Sequence, residues 1–165
     1  MILIRQFTPS DAQGVVNVIL PIQQSEFGIP ITLEAQPDLQ DIQGFYQRGN
    51  GGFWVAESQG AVVGTVALLD IGNGQAALRK MFVAKSHRGG GYGVAKDLIA
   101  NLLEWCRARG VGEIYLGTTA AFLAAHRFYE KNGFTELAKS DLPGAFPVMA
   151  VDTKFYKRVL REHGA

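Results

Sequence analysis

The 165-residue chain predicts a mixed α/β fold built on one sheet. Three observations carry that prediction: short strand-like runs recur along the chain, an amphipathic helix rich in leucine stands between two of them, and consecutive hairpin signals fill the middle. Consecutive hairpins exclude a purely parallel, doubly wound sheet, because parallel neighbours need helical crossovers. The expected order is β-α-α-β-β-β-α-β-α-β-β, in a single domain over residues 1–165.

Ile2 to Phe7 alternates apolar and polar residues as a short strand does. The sequence TPSD then opens a helix, with Thr8 as N-cap, Pro9 as first helical residue and Asp11 closing a capping box. Val15, Val16, Ile19 and Leu20 form its apolar face, and Pro21 marks where it weakens. The stretch PIQQSEFGIPITLEAQPDLQDI has little periodicity and holds three of the six prolines, so it reads as a connector with a short helix around Leu39 to Tyr46. A glycine-rich loop at 48–52 precedes a strand near Phe53–Glu57, a turn at Ser58–Gly60 and a longer strand through Leu69. GNG at 72–74 turns the chain into a further strand from Ala76 to Val83. Beyond a second glycine loop, Val94, Leu98, Leu102 and Cys106 repeat every four residues opposite Asp97, Asn101 and Glu104, a helix that Gly110 ends. EIYLGTT is a strand, AAFLAAHRFYEKNG a helix ending at Gly133, FTEL a strand, and PVMAVDTKFYKRV the last strand.

Composition narrows the function. With 47% hydrophobic and 19% charged residues the chain can bury a core. A net charge of +1 argues against a dedicated nucleic-acid binder, which needs a basic excess. One cysteine, Cys106, excludes a disulfide framework or a cysteine-rich metal site, and its apolar neighbours mark it as buried. No metal is expected. The first residues lack the organisation of a signal peptide, and no apolar run is long enough for a bilayer. A cytoplasmic protein with no membrane partner is the expectation.

The segment HRGGGYGV poses the chemical question. A strand, then glycines, then a helix start is an arrangement that binds anions, because the first helical amides have no internal acceptor and carry the positive end of the dipole. Glycines let phosphate oxygens approach the main chain; Arg88 adds charge-assisted bonds, and Lys85 and Lys96 keep the field positive. The same stretch also reads as a plain glycine-rich turn with an exposed arginine. The dinucleotide pattern G-x-G-x-x-G fails in both registers, meeting Val94 from Gly89 and Lys96 from Gly91, and no Gly-Lys-Ser/Thr of a P-loop follows. A nucleotide-binding oxidoreductase is therefore disfavoured.

R-G-x-G-x-G does fit, as Arg88, Gly89, Gly90, Gly91, Tyr92 and Gly93. Placed after LRKMFV and before a leucine-rich helix, it resembles the pyrophosphate-binding motif of the GNAT N-acetyltransferase superfamily. AHRFYEKNGF, Ala125 to Phe134, resembles that family's A-x-x-F/L-Y-x-x-x-G-F segment, with the strand EIYLGT between the two motifs as in the family. The resemblance spans residues 53–137 and, by the opening strand and capped helix, 2–20. It implies the acyl-CoA N-acyltransferase fold and direct transfer of an acetyl group from acetyl-CoA to a primary amine of a small molecule or peptide, without a covalent enzyme intermediate. A non-catalytic acyl-CoA-binding or sensing domain is the alternative, and homodimers are common in such folds.

Residue roles follow from the resemblance. Arg88, Gly89, Gly90, Gly91, Tyr92, Gly93 and Val94 hold the pyrophosphate. Main-chain groups of Met81 and Val83 pair with the pantetheine, the Val83 amide polarising the thioester carbonyl. Phe122 stands on the cofactor side where many members carry an asparagine, and Arg127 reads equally as a contact to the phosphates or as an exposed helix arginine. Tyr129 is the candidate general acid for the departing thiolate, although its helix stripe of Phe122, Ala125 and Phe128 also reads as plain packing. His126 reads as a solvated or satisfied side chain. No acid lies on QAALRKMFV, where some members place a general base; Glu26, Glu34, Asp38 and Asp70 are alternatives. The segment holding Glu26, Phe27 and Glu34 is expected to wall the acceptor pocket.

Overall fold

The structure, a computed structural model, describes residues 1–89, 91–120 and 123–160. In chain order its elements are β1 (Ile2–Gln6), α1 (Ala12–Pro21), α2 (Pro37–Gln40), α3 (Ile42–Tyr46), β2 (Gly52–Ser58), β3 (Ala61–Gly72), β4 (Gln75–Val83), α4 (Val94–Arg109), β5 (Glu113–Thr118), α5 (Leu123–Lys131), β6 (Thr135–Leu137) and β7 (Lys154–Val159). The strands form one seven-stranded sheet in the order β1-β2-β3-β4-β5-β7-β6. Every neighbouring pair is antiparallel except β4 and β5. The mixed sheet with a hairpin-rich middle is thus as the sequence implies.

Strand β2 shows why its sequence is apolar on both faces. Trp54 and Ala56 pack on one side with Leu98, Leu102 and Cys106 of α4, while Phe53 and Val55 pack on the other with Val15, Ile19, Leu39 and Tyr46. The sheet is covered on both faces, so the strict alternation of a half-exposed strand is lost. Phe146 and Phe155 form a smaller third cluster with Ala77 and Tyr115.

The start of α1 follows its sequence signal. The Thr8 N–H donates to Asp11 Oδ2 at 2.9 Å, and Arg5 donates to both oxygens of the same carboxylate at 2.8 Å each. The first turn is 3-10 before the chain becomes α-helical at Ala12. The helix expected around Leu39 to Tyr46 is two short ones. Asp41 leaves helical geometry at φ −147° and its side chain accepts from the Gly44 N–H at 3.0 Å, which breaks the run and caps α3. The last strand begins at Lys154 rather than at Pro147, because Asp152 closes a turn on Met149, N–H to carbonyl at 3.0 Å.

Two irregularities shape the centre of the sheet. Strands β4 and β5 pair only from Gln75 to Ala77 against Glu113 to Tyr115, after which β5 continues against β7 as far as Thr118. The sheet therefore splits on the C-terminal side of Ala77. On its other edge β4 carries a bulge: Thr65 pairs with Phe82 and Ala67 with Arg79, so Lys80 and Met81 face Val66 alone. Lys80 sits at φ +53°, in the left-handed region that costs a non-glycine residue about 1 kcal/mol. The bulge puts Arg79 and Lys80, adjacent in sequence, toward the same layer of α2 and α3.

Candidate active site

The helix that follows the glycine loop starts bare. Gly93, at φ +65°, is the N-cap of α4, and no side chain caps the helix. The first amide bonded along the helix is that of Asp97, to the Gly93 carbonyl at 2.9 Å, so the amides ahead of it have no helical acceptor. A Cβ built on Gly91 (φ +131°) or Gly93 meets nothing within 4 Å. Glycine is required there by backbone conformation and by clearance, not by crowding. The Gly91 and Tyr92 amides turn back onto the Gly89 carbonyl at 2.9 and 3.1 Å, which folds the loop over the helix start.

These groups open onto a cavity of about 940 Å³. Gly89, Gly91, Gly93, Val94, Ala95 and Lys96 line its cationic end; Met81, Phe82 and Val83 form one wall, and Ala125, Phe128 and Tyr129 of α5 the opposite one. Ile22 and Phe27 close it toward the α1–α2 connection, with the Phe27 ring 6.4 Å from that of Phe82. The β4 residues that line it lie beyond Ala77, where the pairing with β5 has ended. The fit to a phosphate-bearing cofactor is good, since uncapped amides and a lysine meet at one end and an apolar channel leads from them.

Tyr129 stands deep in the channel. It is only 8% exposed, its ring lies 5.6 Å from both Phe128 and Phe134, and its hydroxyl makes no hydrogen bond to another described residue. Burial pushes the phenol above its ordinary range, which keeps it a proton donor at neutral pH. Neighbouring His126 is buried, with Nε2 2.7 Å from the Thr119 carbonyl oxygen, and is a satisfied structural side chain.

Other expected residues are placed differently. Arg88 lines the rim, but its guanidinium is engaged with Glu26 at 2.6 and 2.9 Å, and its Nε donates to the Val83 carbonyl at 2.8 Å. Glu26 is accordingly held below its usual carboxylate range by Arg88. Tyr92 is half-exposed beside His87, 4.8 Å between rings, outside the cavity lining. Arg127 and Glu34 are exposed and do not line the cavity. Asp38 is buried and bound, accepting from Tyr46 Oη at 2.6 Å with Lys80 Nζ at 3.4 Å, and Asp70 accepts from the Asn50 and Gly72 amides at 2.9 and 2.8 Å. The Gly90 and Phe122 positions lie outside the described residues. No described residue lining the cavity is a carboxylate.

Sequence reasoning missed the bulge and what it organises. Lys80 Nζ donates to Gln36 Oε1 at 2.7 Å, and the Gln36 and Gln23 amides bond each other at 2.9 and 3.1 Å. Burial lowers the Lys80 pKa while Asp38 opposes that shift. This polar knot ties the acceptor-side connection to β4. No local pattern marks a left-handed lysine in a strand; the mismatch of register with β3 creates it.

Residues 17–134 match the acetyltransferase (GNAT) family. The chain belongs to that family. An acetyltransferase of the GNAT family from Staphylococcus aureus Mu50 has the same fold at a TM-score of 0.92, with 38% identity over 98% of this chain and 100% of that one. Among curated GNAT relatives, mouse probable N-acetyltransferase family 8 member 5 is 37% identical over 109 residues, 63% of this chain and 47% of that protein. N-acetylaspartate synthetase of Danio rerio is 38% identical over 112 residues, 65% of this chain and 39% of its own. The chain thus spans less than half the length of these two relatives. The glycine loop, the split sheet and Tyr129 all fall within the matched residues 17–134.

Proposed function

We propose that this domain transfers an acetyl group from acetyl-CoA directly to a primary amine of a small molecule or peptide. The observation that carries the reading is the cavity itself: it is lined by the uncapped start of α4, by Met81 to Val83 of β4 beyond its pairing with β5, and by Tyr129.

In this reading the amides of Val94, Ala95 and Lys96 hold the pyrophosphate, and the free edge of β4 beyond Ala77 takes the pantetheine as a further strand would. Arg88 braces the loop, tying Glu26 to the Val83 carbonyl at the rim. Acetyl-CoA supplies an activated thioester. The amine nitrogen attacks its carbonyl carbon, the C–N bond forms and the C–S bond breaks. Tyr129 delivers its proton to the departing sulfur and regains one from solvent, while the proton shed by the amine nitrogen goes to water, in keeping with a lining that has no described carboxylate. An amine with an ordinary pKa near 10.4 is neutral in about one molecule in two thousand at pH 7, so the rate rises with pH until the amine is deprotonated.

The test is calorimetry of acetyl-CoA, coenzyme A, NAD and ATP with the wild type and with Gly91→Glu, whose carboxylate would project into the open space over the loop. Micromolar acetyl-CoA binding that is lost in the variant, with no NAD or ATP binding, supports the reading. Equal binding by both forms, or none by the wild type, overturns it. Binding without thiol release for any amine identifies a non-catalytic acyl-CoA domain instead.

A further inference from the structure

Arg79 is out of place as a structural cation. It is half-buried on β4, two residues before Met81 of the channel wall, yet it forms no ion pair with a described carboxylate. Its neighbour Lys80 has Asp38 and Arg5 of β1 has Asp11 and Glu57, while the partly buried Arg158 of β7 donates to the Asn132 carbonyl at 2.8 Å. The Arg79 guanidinium instead lies 5.9 Å from the ring centres of both Phe45 and Tyr46 of α3, and Nη2 reaches the Met149 sulfur at 3.6 Å. The two aromatic rings hold the planar group in place without neutralising it.

Its position has a functional meaning because of the bulge. Arg79 contacts the β6–β7 connection through Met149, while Lys80 contacts the α1–α2 connection through Gln36. Adjacent residues of β4 thus reach both connections. Arg79 stands two residues from Met81 of the channel wall, on the other side of the bulge at Lys80. Asp152, on the same connection as Met149, feels the Arg79 charge without pairing with it, and its carboxylate is turned onto the Met149 amide at 3.0 Å. Arg79 is thus a guanidinium held by two rings and a sulfur, with no ion pair to a described carboxylate and with Asp152 near enough to feel its charge.

We propose that Arg79 determines acceptor specificity by binding a carboxylate of the substrate, so that the acceptor is a small amine carrying a carboxylate close to its amino group, such as a free amino acid. The inference rests on the acetyl-transfer reading. It excludes lysine side chains of proteins as the preferred acceptor, because these present no carboxylate near the amine.

The experiment compares wild type, Arg79→Gln and Arg79→Lys in thiol-release assays with the common L-amino acids and their α-carboxamides, alongside a lysine-containing peptide. The same compounds are titrated by calorimetry into protein saturated with coenzyme A. A hydrogen-bonded ion pair of this kind supports discrimination of about 30- to 100-fold. The expected result is that free acids beat their amides by that factor, and that Arg79→Gln raises KM for the acids 30- to 100-fold. Arg79→Gln should leave kcat within about threefold and the acetyl-CoA Kd and melting temperature unchanged, with Arg79→Lys intermediate. If amides or the peptide bind and react as well as the acids, if no acid binds, or if Arg79→Gln keeps the preference, the proposal is wrong while acetyl transfer stands. Failure of the wild type to bind acetyl-CoA would remove both.

Discussion

Replacing Tyr129 with phenylalanine separates chemistry from packing. The ring stays: phenylalanine keeps the edge contacts with Phe128 and Phe134 at 5.6 Å and the tilted contact with Tyr156 at 6.1 Å. The lost hydroxyl takes no hydrogen bond to another described residue with it, so stability should change by less than about 0.5 kcal/mol. The rate should change far more. General acid catalysis contributes about 10²- to 10⁴-fold. A thiolate leaving group is already tolerable, since an ordinary thiol ionises near 8.5, and that places the effect toward the lower end. A fall in kcat of about 100-fold is expected, equivalent to about 2.7 kcal/mol of barrier. The assay is steady-state and single-turnover thiol release from acetyl-CoA, with thermal melts of both proteins in the same buffer. The pH profile adds an independent sign: burial raises the Tyr129 pKa, so the wild type should show no alkaline loss of its acid until above the ordinary phenol value of about 10. A variant with kcat within threefold of wild type would show the hydroxyl to be idle. A loss of stability above about 1.5 kcal/mol would show instead that it anchors the helix.

Three further outcomes follow from the same structure. Asp11→Asn should destabilise the fold by about 1–2 kcal/mol at pH 7; because Arg5 holds the Asp11 pKa below its usual value, the wild-type advantage is complete above about pH 5 and disappears as pH falls through the folded-state pKa, which denaturant melts at pH 7 and pH 3 would read. Lys80→Met leaves Asp38 buried beside Tyr46 without its cation and should cost about 3 kcal/mol in urea unfolding. Glu26→Gln should change stability by less than about 1 kcal/mol, as for other largely exposed pairs, but tighten acetyl-CoA binding several-fold by freeing Arg88 to meet phosphate, measured by calorimetry.

What the sequence reveals here depends on how local each feature is. The apolar stripe Val94, Leu98, Leu102 and Cys106 is a property of sixteen neighbouring residues and appears in the structure as α4. The glycine loop and Tyr129 were legible through a motif, and both line one channel. The break at Asp41 was not legible, because the same residues satisfy helical spacing until the aspartate caps the second half. The contact between Glu26 and Arg88 joins residues 62 positions apart, and two opposite charges among many give no hint of such a pair. Lys80 at positive φ depends on the register of β3 against β4, and with it the turn of Arg79 toward Phe45 and Tyr46.

The divergence of β4 from β5 has a consequence for how the domain behaves when its co-substrate is scarce. Past Ala77 one edge of β4 lacks a strand neighbour in the middle of a sheet, a place where proteins ordinarily leave no unpaired ladder. A molecule that lends its own amides to that edge becomes a component of the fold by mass action, adding about 2.7 kcal/mol at a hundredfold excess over Kd. Amide hydrogen exchange along Leu78 to Val83 should therefore slow on addition of coenzyme A more than exchange in β2, whose two edges are already paired. A co-substrate bound in that way would stabilise the fold as well as enter the proposed reaction.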